Sequence, residues 1–414
     1  MTTISSTAQD LRRLLAGQVT SVFGGTLTAT AMSVIAVVVL HAGPVGVALI
    51  VGAGVVPMLL FGPVIGVLLD RVNRPRRTLI AADLIAAGAV GATAVAGLTG
   101  VMGVAVLAAL NFVLGTVGIV MEGLYFPHLH GLGVSDIGTA RARLQAGELF
   151  SRSAAGSVAG PLAAALAVPL LFLVDALTYL VSAGALLSLR SPDRRVGTAD
   201  RKAGFRREFA DGLRVLRGHP VLTGFVVYLL IGGVASSGVL AQRAIFLLDD
   251  LDLPVALFTV PTVAATLLGA GGALLAPRLI SRGVAPRRLV LVGLPAAAVT
   301  TAALPAAGGP TAWVLVATAF GIAAPAFFGA LANIGLITML GADIGDEFFG
   351  RVATLLATTS TFAGTLGAVA GGVLAESFGT RDGIWICVAL DGFAALVLLW
   401  VSRRSRAGTS PDAA

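Results

Sequence analysis

Residues 62–77 read GPVIGVLLDRVNRPRR, and this stretch decides the fold. An apolar run containing Gly62 and Gly66 ends at an acid, Asp70, and a new apolar run begins at Leu79. Between them lies a basic cluster formed by Arg71, Arg74, Arg76 and Arg77. Because charged side chains are costly inside a bilayer, the pattern predicts two membrane helices joined by a short charged loop. The arginines favour the cytoplasmic side for that loop, and the glycines allow a neighbouring helix to approach closely.

The composition is that of an integral membrane protein. Of 414 residues, 57% are hydrophobic and only 12% are charged, and the mean hydropathy is +0.94. No soluble core absorbs that much apolar sequence. The single cysteine, Cys387, lies within an apolar run, which argues against a disulfide framework or a metal cluster. No phosphate-binding glycine loop is present, and we expect no cofactor, no metal and no enzymatic activity.

Twelve apolar segments are long enough to cross a bilayer, for which a helix needs about 20 residues. The predicted spans are residues 14–40, 45–69, 78–98, 101–122, 145–167, 169–189, 221–246, 255–280, 287–305, 311–339, 351–375 and 383–402.

The loops between these spans alternate in charge. Of the 28 Lys and Arg residues, all but Arg243 and Arg381 fall in one alternating set, which predicts a cytoplasmic location for that set and for both termini. We expect a multi-pass protein of the cell (inner or plasma) membrane. Its net charge of +7 then reflects topology and contact with anionic lipid, not binding to nucleic acid.

The longest polar interval divides the chain near its middle. We expect an N-terminal six-helix bundle at 1–189, a cytoplasmic linker with an amphipathic helix at 190–220, a C-terminal six-helix bundle at 221–402 and a cytoplasmic tail at 403–414. A shift of 211 residues lays the sequence RPRR of residues 74–77 on APRR of residues 285–288. Two such halves suit transport by alternating access.

The pattern Gly66-x-x-x-Asp70-Arg71-x-x-Arg74-x-Arg76-Arg77 resembles the loop signature between the second and third spans of major facilitator superfamily transporters, apart from an inserted Pro75. The resemblance implies an all-α membrane protein with twelve transmembrane helices in two pseudo-symmetric six-helix bundles. The linker sequence FRREFADGLRVLRGHP and the segment ARARLQAGELF are similar to the macrolide-efflux and enterobactin-exporter branch. The alternative interpretation of the loop is a charged stop signal between two membrane helices.

The resemblance also implies a gate. Asp70 would brace the cytoplasmic side by contacting the start of span 11, where a helix N-terminus favours a nearby carboxylate. The predicted gating motif comprises Gly62, Gly66, Asp70, Arg71, Arg74, Arg76, Arg77, Gly350 and Arg351. A static salt bridge that fixes topology is the alternative.

Span 5 contains Gly156-x-x-x-Gly160-Pro161, which resembles the start of the superfamily's antiporter signature, with alanines at 164 and 165 in place of the closing glycines. The family associates that signature with exporters. Since G-x-x-x-G is common in membrane helices, it favours export only moderately.

In the superfamily, spans 1, 4, 7 and 10 line the substrate cavity. Their aromatic and amide side chains suit a bulky, largely apolar substrate, although helix packing is the alternative role for each. The candidate cavity residues are Gln18, Phe23, Asn111, Phe112, Tyr228, Gln242, Phe327 and Asn333.

The arginine that the superfamily links to proton transfer in span 4 is replaced here by Asn111. Proton coupling would then use carboxylates elsewhere, and acids within the membrane are functional candidates by default. The candidates are Glu122, Glu148 and Asp83. For Asp175 and Asp391 we expect helix-packing contacts instead.

These features favour secondary active export of a lipophilic small molecule, such as a drug, antibiotic or siderophore, by proton-coupled antiport. The expected partners are that substrate, protons and the lipid bilayer, and the expected state is a monomer. Two alternatives stay open: an importer or lipid transporter of the same fold, and a non-transporting membrane scaffold or sensor.

Overall fold

The computed structural model describes residues 2–70, 72–131, 137–190, 220–343 and 346–407. These residues form twelve long helices and no strand, so the described chain is all-α as predicted. The helices are α1 (Thr2–Val34), α2 (Pro44–Asp70), α3 (Pro75–Leu98), α4 (Val104–Gly131), α5 (Ile137–Ala165), α6 (Pro169–Leu187), α7 (Pro220–Ile245), α8 (Val260–Ser281), α9 (Pro286–Thr301), α10 (Thr311–Asp343), α11 (Asp346–Phe378) and α12 (Thr380–Ala407).

The helices correspond one to one with the predicted spans. Within the described residues, eight are both long and apolar enough to cross a membrane. Five helices begin at a proline: α2, α3, α6, α7 and α9. Proline fits the first helical turn because an N–H group there would have no acceptor within the helix, so its absence costs nothing. Most of the predicted linker at 190–220, with its amphipathic helix, and residues 408–414 of the predicted tail lie outside the described residues.

The prediction missed the polar extensions of several helices, among them α1, which begins at Thr2 although span 1 was predicted to begin at 14. Helix α4 runs on to Gly131 although span 4 was predicted to end at 122, and α5 begins at Ile137 instead of 145. The prediction ended each span where apolar sequence ended. A helix needs backbone hydrogen bonds rather than apolar side chains, so it can continue past the membrane-spanning part.

One compact unit comprises Met1–Ala199 together with Pro254–Val263. Within it α1 packs on α5 and α6, α2 on α4, and α3 on α4 and α6. A buried apolar cluster joins these helices, and its members include Leu14, Leu79, Leu124, Leu144 and Leu186.

The other compact unit comprises Asp200–Leu253 and Ala264–Ala414. Here α7 packs on α11 and α12, and α9 packs on α10 and α12. Its apolar cluster includes Phe225, Val290, Leu336, Leu355 and Leu398. Each of these follows a member of the first unit's cluster by 211 or 212 residues, so the core repeats at the spacing seen in the sequence.

The repeat extends to backbone geometry at the ends of α1 and α7. Each helix continues into a π-helical turn, at Ile35–Val39 and at Phe246–Asp250, which are 211 residues apart. A residue with left-handed backbone follows each turn, His41 with φ 46° and Asp252 with φ 50°. The two units therefore share a local backbone conformation, although the residues at the left-handed position, His41 and Asp252, are of different types.

Helices α1 and α6 approach closely around a buried carboxylate. A Cβ atom on Gly24 would collide with Asp175 Oδ1 and Thr178 Oγ1. The Thr28 hydroxyl, one turn further along α1, donates to Asp175 Oδ2 at 2.5 Å, and the Thr178 hydroxyl donates to Oδ1 at 3.0 Å. Asp175 therefore makes the helix-packing contact that we expected of it.

Helices α7 and α12 repeat the arrangement. A Cβ on Gly232 would lie 2.8 Å from Asp391 Oδ1, and the Tyr228 hydroxyl donates to the same oxygen at 3.1 Å. In both units the glycine and the hydroxyl donor are four residues apart on one helix, which puts them on the same face.

Replacing Gly24 with alanine should destabilise the protein by about 1–3 kcal/mol, because the added methyl group overpacks the α1–α6 contact. Gly25 has open space around its Cβ position, so Gly25→Ala is the matched control and should be neutral or stabilising by up to about 1 kcal/mol through helix propensity. Thermal unfolding of the purified variants in detergent measures the difference. Equal midpoints for the two variants would contradict the contact.

Candidate functional site

The structure describes only part of the predicted gating motif. Arg74 and Arg77 are exposed at the start of α3, and the Arg76 guanidinium donates to the Leu189 carbonyl at 2.8 Å. The structure describes only the helical backbone at Gly62, Gly66, Asp70, Gly350 and Arg351, and Arg71 lies outside the described residues. The gating role therefore stays a prediction.

The Arg76 contact is repeated in the second unit. Arg287, 211 residues later, donates to the Ser402 carbonyl at 2.7 Å near the end of α12. Arg13 adds a further bond in the first unit, to the Ser188 carbonyl at 2.7 Å. Arginines at carbonyls near a helix C-terminus satisfy groups that lack helical partners and complement the helix dipole. Arg76 thus has a structural contact inside its own unit.

The antiporter-like motif lies against Pro254–Val263, the residues just before α8 together with its first turn. Gly156 and Gly160 are buried in α5, and Pro161 is exposed. A Cβ on Gly160 would lie 2.8 Å from the Ala256 carbonyl oxygen, and one on Gly156 would lie 3.0 Å from Val263 Cγ2. Both contacts lie within the first unit, so the two glycines make room for Pro254–Val263 to pack on α5.

Several candidate cavity residues are held by bonds within their own unit. Asn111 donates to the Ile50 carbonyl at 2.7 Å, linking α4 to α2. Gln242 is buried and donates to the Cys387 sulfur at 3.8 Å, and Tyr228 has the bond to Asp391 described above. By contrast, Asn333 is exposed. These bonds fit the helix-packing alternative, and the substrate roles stay predictions.

The aromatic candidates have mixed surroundings. Phe112 packs edge to face on Phe61 with ring centroids 6.4 Å apart. Phe327 packs in the same way on Phe328 at 5.4 Å. Phe23 is half-buried in α1. Such rings offer apolar contact area to a substrate or to a neighbouring helix alike.

The three acids proposed for proton coupling differ in burial. Glu122 is exposed and Glu148 is half-buried, whereas Asp83 in α3 is only 1% exposed. Among the described residues, no group of three or more His, Cys, Asp or Glu side chains could hold a metal ion. Of the three acids, only Asp83 is enclosed by protein atoms on nearly every side.

Asp83 faces a small cavity inside the first unit whose mostly apolar walls carry a few polar groups. The cavity has a volume of about 10 Å³, and its walls include Gln18, Tyr125 and Ser182 from α1, α4 and α6. Neither Asp83 oxygen nor the Tyr125 hydroxyl meets hydrogen-bond geometry with any described group, although the Ser182 hydroxyl is near enough to act on the carboxyl. That space holds about one water molecule.

The groups in this cavity that lack hydrogen bonds could bind a proton or a water molecule. A carboxylate buried in a membrane bundle without donors or a cation is costly, so Asp83 gains from a proton or from a water that bridges it to Tyr125. Tyr125 also lies within electrostatic range of Glu148, which is half-buried on α5. The arrangement can bind and release a proton at Asp83.

Sequence reasoning found Asp83 but missed Tyr125 and Ser182. Tyr125 lies three residues beyond residue 122, at which span 4 was predicted to end. Ser182 lies in α6, and a single serine in a membrane helix does not by itself indicate a functional site. Gly123 and Pro127 flank Tyr125 in the sequence, and both residue types are typical of a helix end, so no sequence signal indicated that α4 continues.

An all-helical membrane chain with an internal repeat of local structure has the architecture of a transporter. The sequence profile of the Major Facilitator Superfamily matches residues 14–340, well over half of the chain. The chain belongs to the major facilitator superfamily and is a membrane transporter of that kind. No curated protein sequence matches it at a significant level.

Solved structures of other transporters have the same fold. The nucleoside transporter NupG (D323A mutant) is 13% identical with a TM-score of 0.74, covering 95% of this chain and 99% of that one. A bacterial homologue of the iron transporter ferroportin is 17% identical with a TM-score of 0.69, covering 95% and 99%. The D-xylose–proton symporter is 14% identical with a TM-score of 0.64, covering 94% and 96%. At these identities the likeness concerns the fold alone.

Two buried carboxylates should respond oppositely to the same substitution. Asp83→Asn should stabilise the protein by about 1 kcal/mol, because a neutral amide costs less to bury than a carboxylate without partners. Asp175→Asn should destabilise it by about 1–3 kcal/mol, because Asp175 accepts two hydroxyl hydrogen bonds. Thermal unfolding in detergent measures both, and a loss of stability in Asp83→Asn as large as in Asp175→Asn would contradict the unpaired state of Asp83.

Proposed function

We propose that this transporter exports a lipophilic small molecule by alternating access, driven by protons entering in exchange. The observation that carries the proposal is Asp83, a buried carboxyl whose oxygens lack hydrogen-bond partners among the described residues and which faces a cavity of about one water. An acid kept in this state within a transporter is suited to proton binding. Glu122 and Glu148 are secondary candidates because both are less buried than Asp83.

Export is the favoured direction because of α5. Gly156 and Gly160 match the start of a signature that the family associates with exporters, and both are packed against Pro254–Val263. A larger side chain at either position would displace that segment, so the motif has a physical requirement here. Pro161, between two alanine-rich stretches, can bend the helix at this point.

The remaining features of the proposal follow from sequence. Asp70 would brace the cytoplasmic gate at the start of α11 in one of the two global states, so its loss would shift the balance between them. The protein would act as a monomer in the cell membrane with both termini cytoplasmic, as the distribution of its basic residues favours. The two six-helix halves at 1–189 and 221–402 would supply the moving bodies, joined by the linker at 190–220.

The transport test compares accumulation of lipophilic dyes and antibiotics in cells that lack their main pumps. Cells with the wild-type protein should accumulate less than empty-vector cells, and a protonophore should abolish the difference, because export would need the proton gradient. Asp70→Asn should reduce export about tenfold or more, since the gate contact would be lost. Arg12→Gln, at an exposed arginine of α1 outside the gating motif, serves as the control for general damage.

Higher accumulation with the wild type would reverse the direction and favour an importer. A change in membrane lipid distribution without dye transport would favour the lipid transporter. No flux of any kind, with an altered partner protein in the cells, would favour the scaffold or sensor.

Asp83→Asn should separate proton coupling from substrate movement. Because the amide cannot carry a proton at this site, export against a concentration gradient should fall about tenfold or more, while exchange of labelled for unlabelled substrate should persist. Asp382→Asn, the same change at an exposed position at the start of α12, is the matched control and should keep gradient-driven export. Loss of both activities in Asp83→Asn, or equal effects in the two variants, would count against Asp83 as the proton carrier.

A further inference from the structure

A larger cavity lies inside the second unit. Its volume is about 300 Å³, and its walls come from α7, the end of α9, α10 and α12. Apolar side chains dominate the walls, among them Val239, Leu240, Leu304, Ile322 and Pro325. Ligand cavities of small organic molecules begin at about this volume, and they combine an apolar lining with a few polar groups.

The cavity contains one cation in its wall, Arg243, in the last turn of α7. The side chain is half-buried, and among the described residues no carboxylate pairs with it. An arginine inside a membrane bundle is costly unless an anion or a set of acceptors compensates it. The guanidinium therefore faces the cavity with its charge unmatched.

The acid in the same wall, Asp391, does not supply the missing charge. Its Oδ1 accepts the Tyr228 hydroxyl at 3.1 Å, beside Gly232 on α7. Gly232 precedes Arg243 by 11 residues, which corresponds to about 16 Å along the helix axis. An arginine side chain cannot span that distance, so the two charges occupy different levels of the cavity.

Two of the three hydroxyl groups in the wall have their protons engaged, and Ser237 is the third. Ser236 donates to the Gly232 carbonyl at 2.8 Å, and Thr301 donates to the Ala297 carbonyl at 2.9 Å. Each therefore presents acceptor lone pairs to the cavity and no free proton. Arg243 is the charged donor in this wall, and its guanidinium matches the geometry of a carboxylate or phosphate group.

We propose that this cavity binds an amphipathic molecule that carries one anionic group. The anion would bind Arg243, and the apolar body would lie along α7 towards Ser236, a length of about 10 Å. That this molecule is the exported substrate rests on the proposed function. That the cavity binds such a molecule does not depend on it. An anionic phospholipid offers the same chemistry as a free amphipathic acid.

The test measures binding of labelled decanoate to the purified full chain in phosphatidylcholine nanodiscs, with decanol as the uncharged probe. Decanoate should bind the wild type, and Arg243→Gln should weaken it about tenfold or more, because a charge-assisted pair would be lost. Arg243→Lys should recover part of the affinity. Arg282→Gln, an exposed arginine outside the cavity, is the matched control and should bind like the wild type. Decanol binding should not depend on residue 243.

A variant at another position keeps the test informative if the Arg243 variants fail to fold. Ser236→Leu should fill the cavity and weaken both probes while leaving Arg243 in place. Equal decanoate affinity in the wild type, Arg243→Gln and Ser236→Leu, each monodisperse on size exclusion, would overturn the site. Phosphatidylglycerol nanodiscs separate the sources: displacement of decanoate there assigns the site to an anionic lipid, and unchanged affinity assigns it to a free amphipathic acid. Because binding requires no proton gradient, failed transport with retained binding would overturn the proposed function alone.

Discussion

The structure depends on a contact that occurs once in each unit: a helix pair brought together at a glycine, with a buried carboxylate and a hydroxyl donor beside it. In lipid, apolar side chains gain little by leaving the solvent, so helix association relies on close packing and hydrogen bonds. Gly24 with Asp175, and Gly232 with Asp391, supply both. The carboxylates are tolerable because hydroxyl groups on the partner helices satisfy them.

The sequence predicted the helices and their repeat because both depend on residue types in order. Apolar runs and charged loops predicted twelve spans, and the 211-residue shift reappears in the π-helical turns at Ile35–Val39 and Phe246–Asp250. The ends of α4 and α5 were missed because helical hydrogen bonding continues into polar sequence. The surroundings of Asp83 could not be predicted, since they depend on how α1, α3, α4 and α6 are rotated about their axes.

Four charged side chains within the predicted spans fall into two groups. Asp175 and Asp391 are paired with hydroxyl donors and serve packing, whereas Asp83 and Arg243 face cavities without partners among the described residues. Sequence marked Asp83 as an acid in a membrane helix, but it noted Arg243, near the end of predicted span 7, only as an exception to the cytoplasmic set of basic residues. Unpaired charges reduce the stability of the fold. In a transporter they can also bind a proton or a charged ligand, a benefit that a purely structural bundle would not have.

Proton-coupled export is the central claim, and proteoliposomes with an imposed pH gradient test it most directly. The purified protein would be reconstituted with an acidic lumen, and uptake of a lipophilic dye would be followed beside the luminal pH. Antiport predicts that the dye enters while the lumen loses protons, and that dissipating the gradient stops both. Dye movement that is indifferent to the gradient, or that runs in the same direction as the protons, would contradict the account.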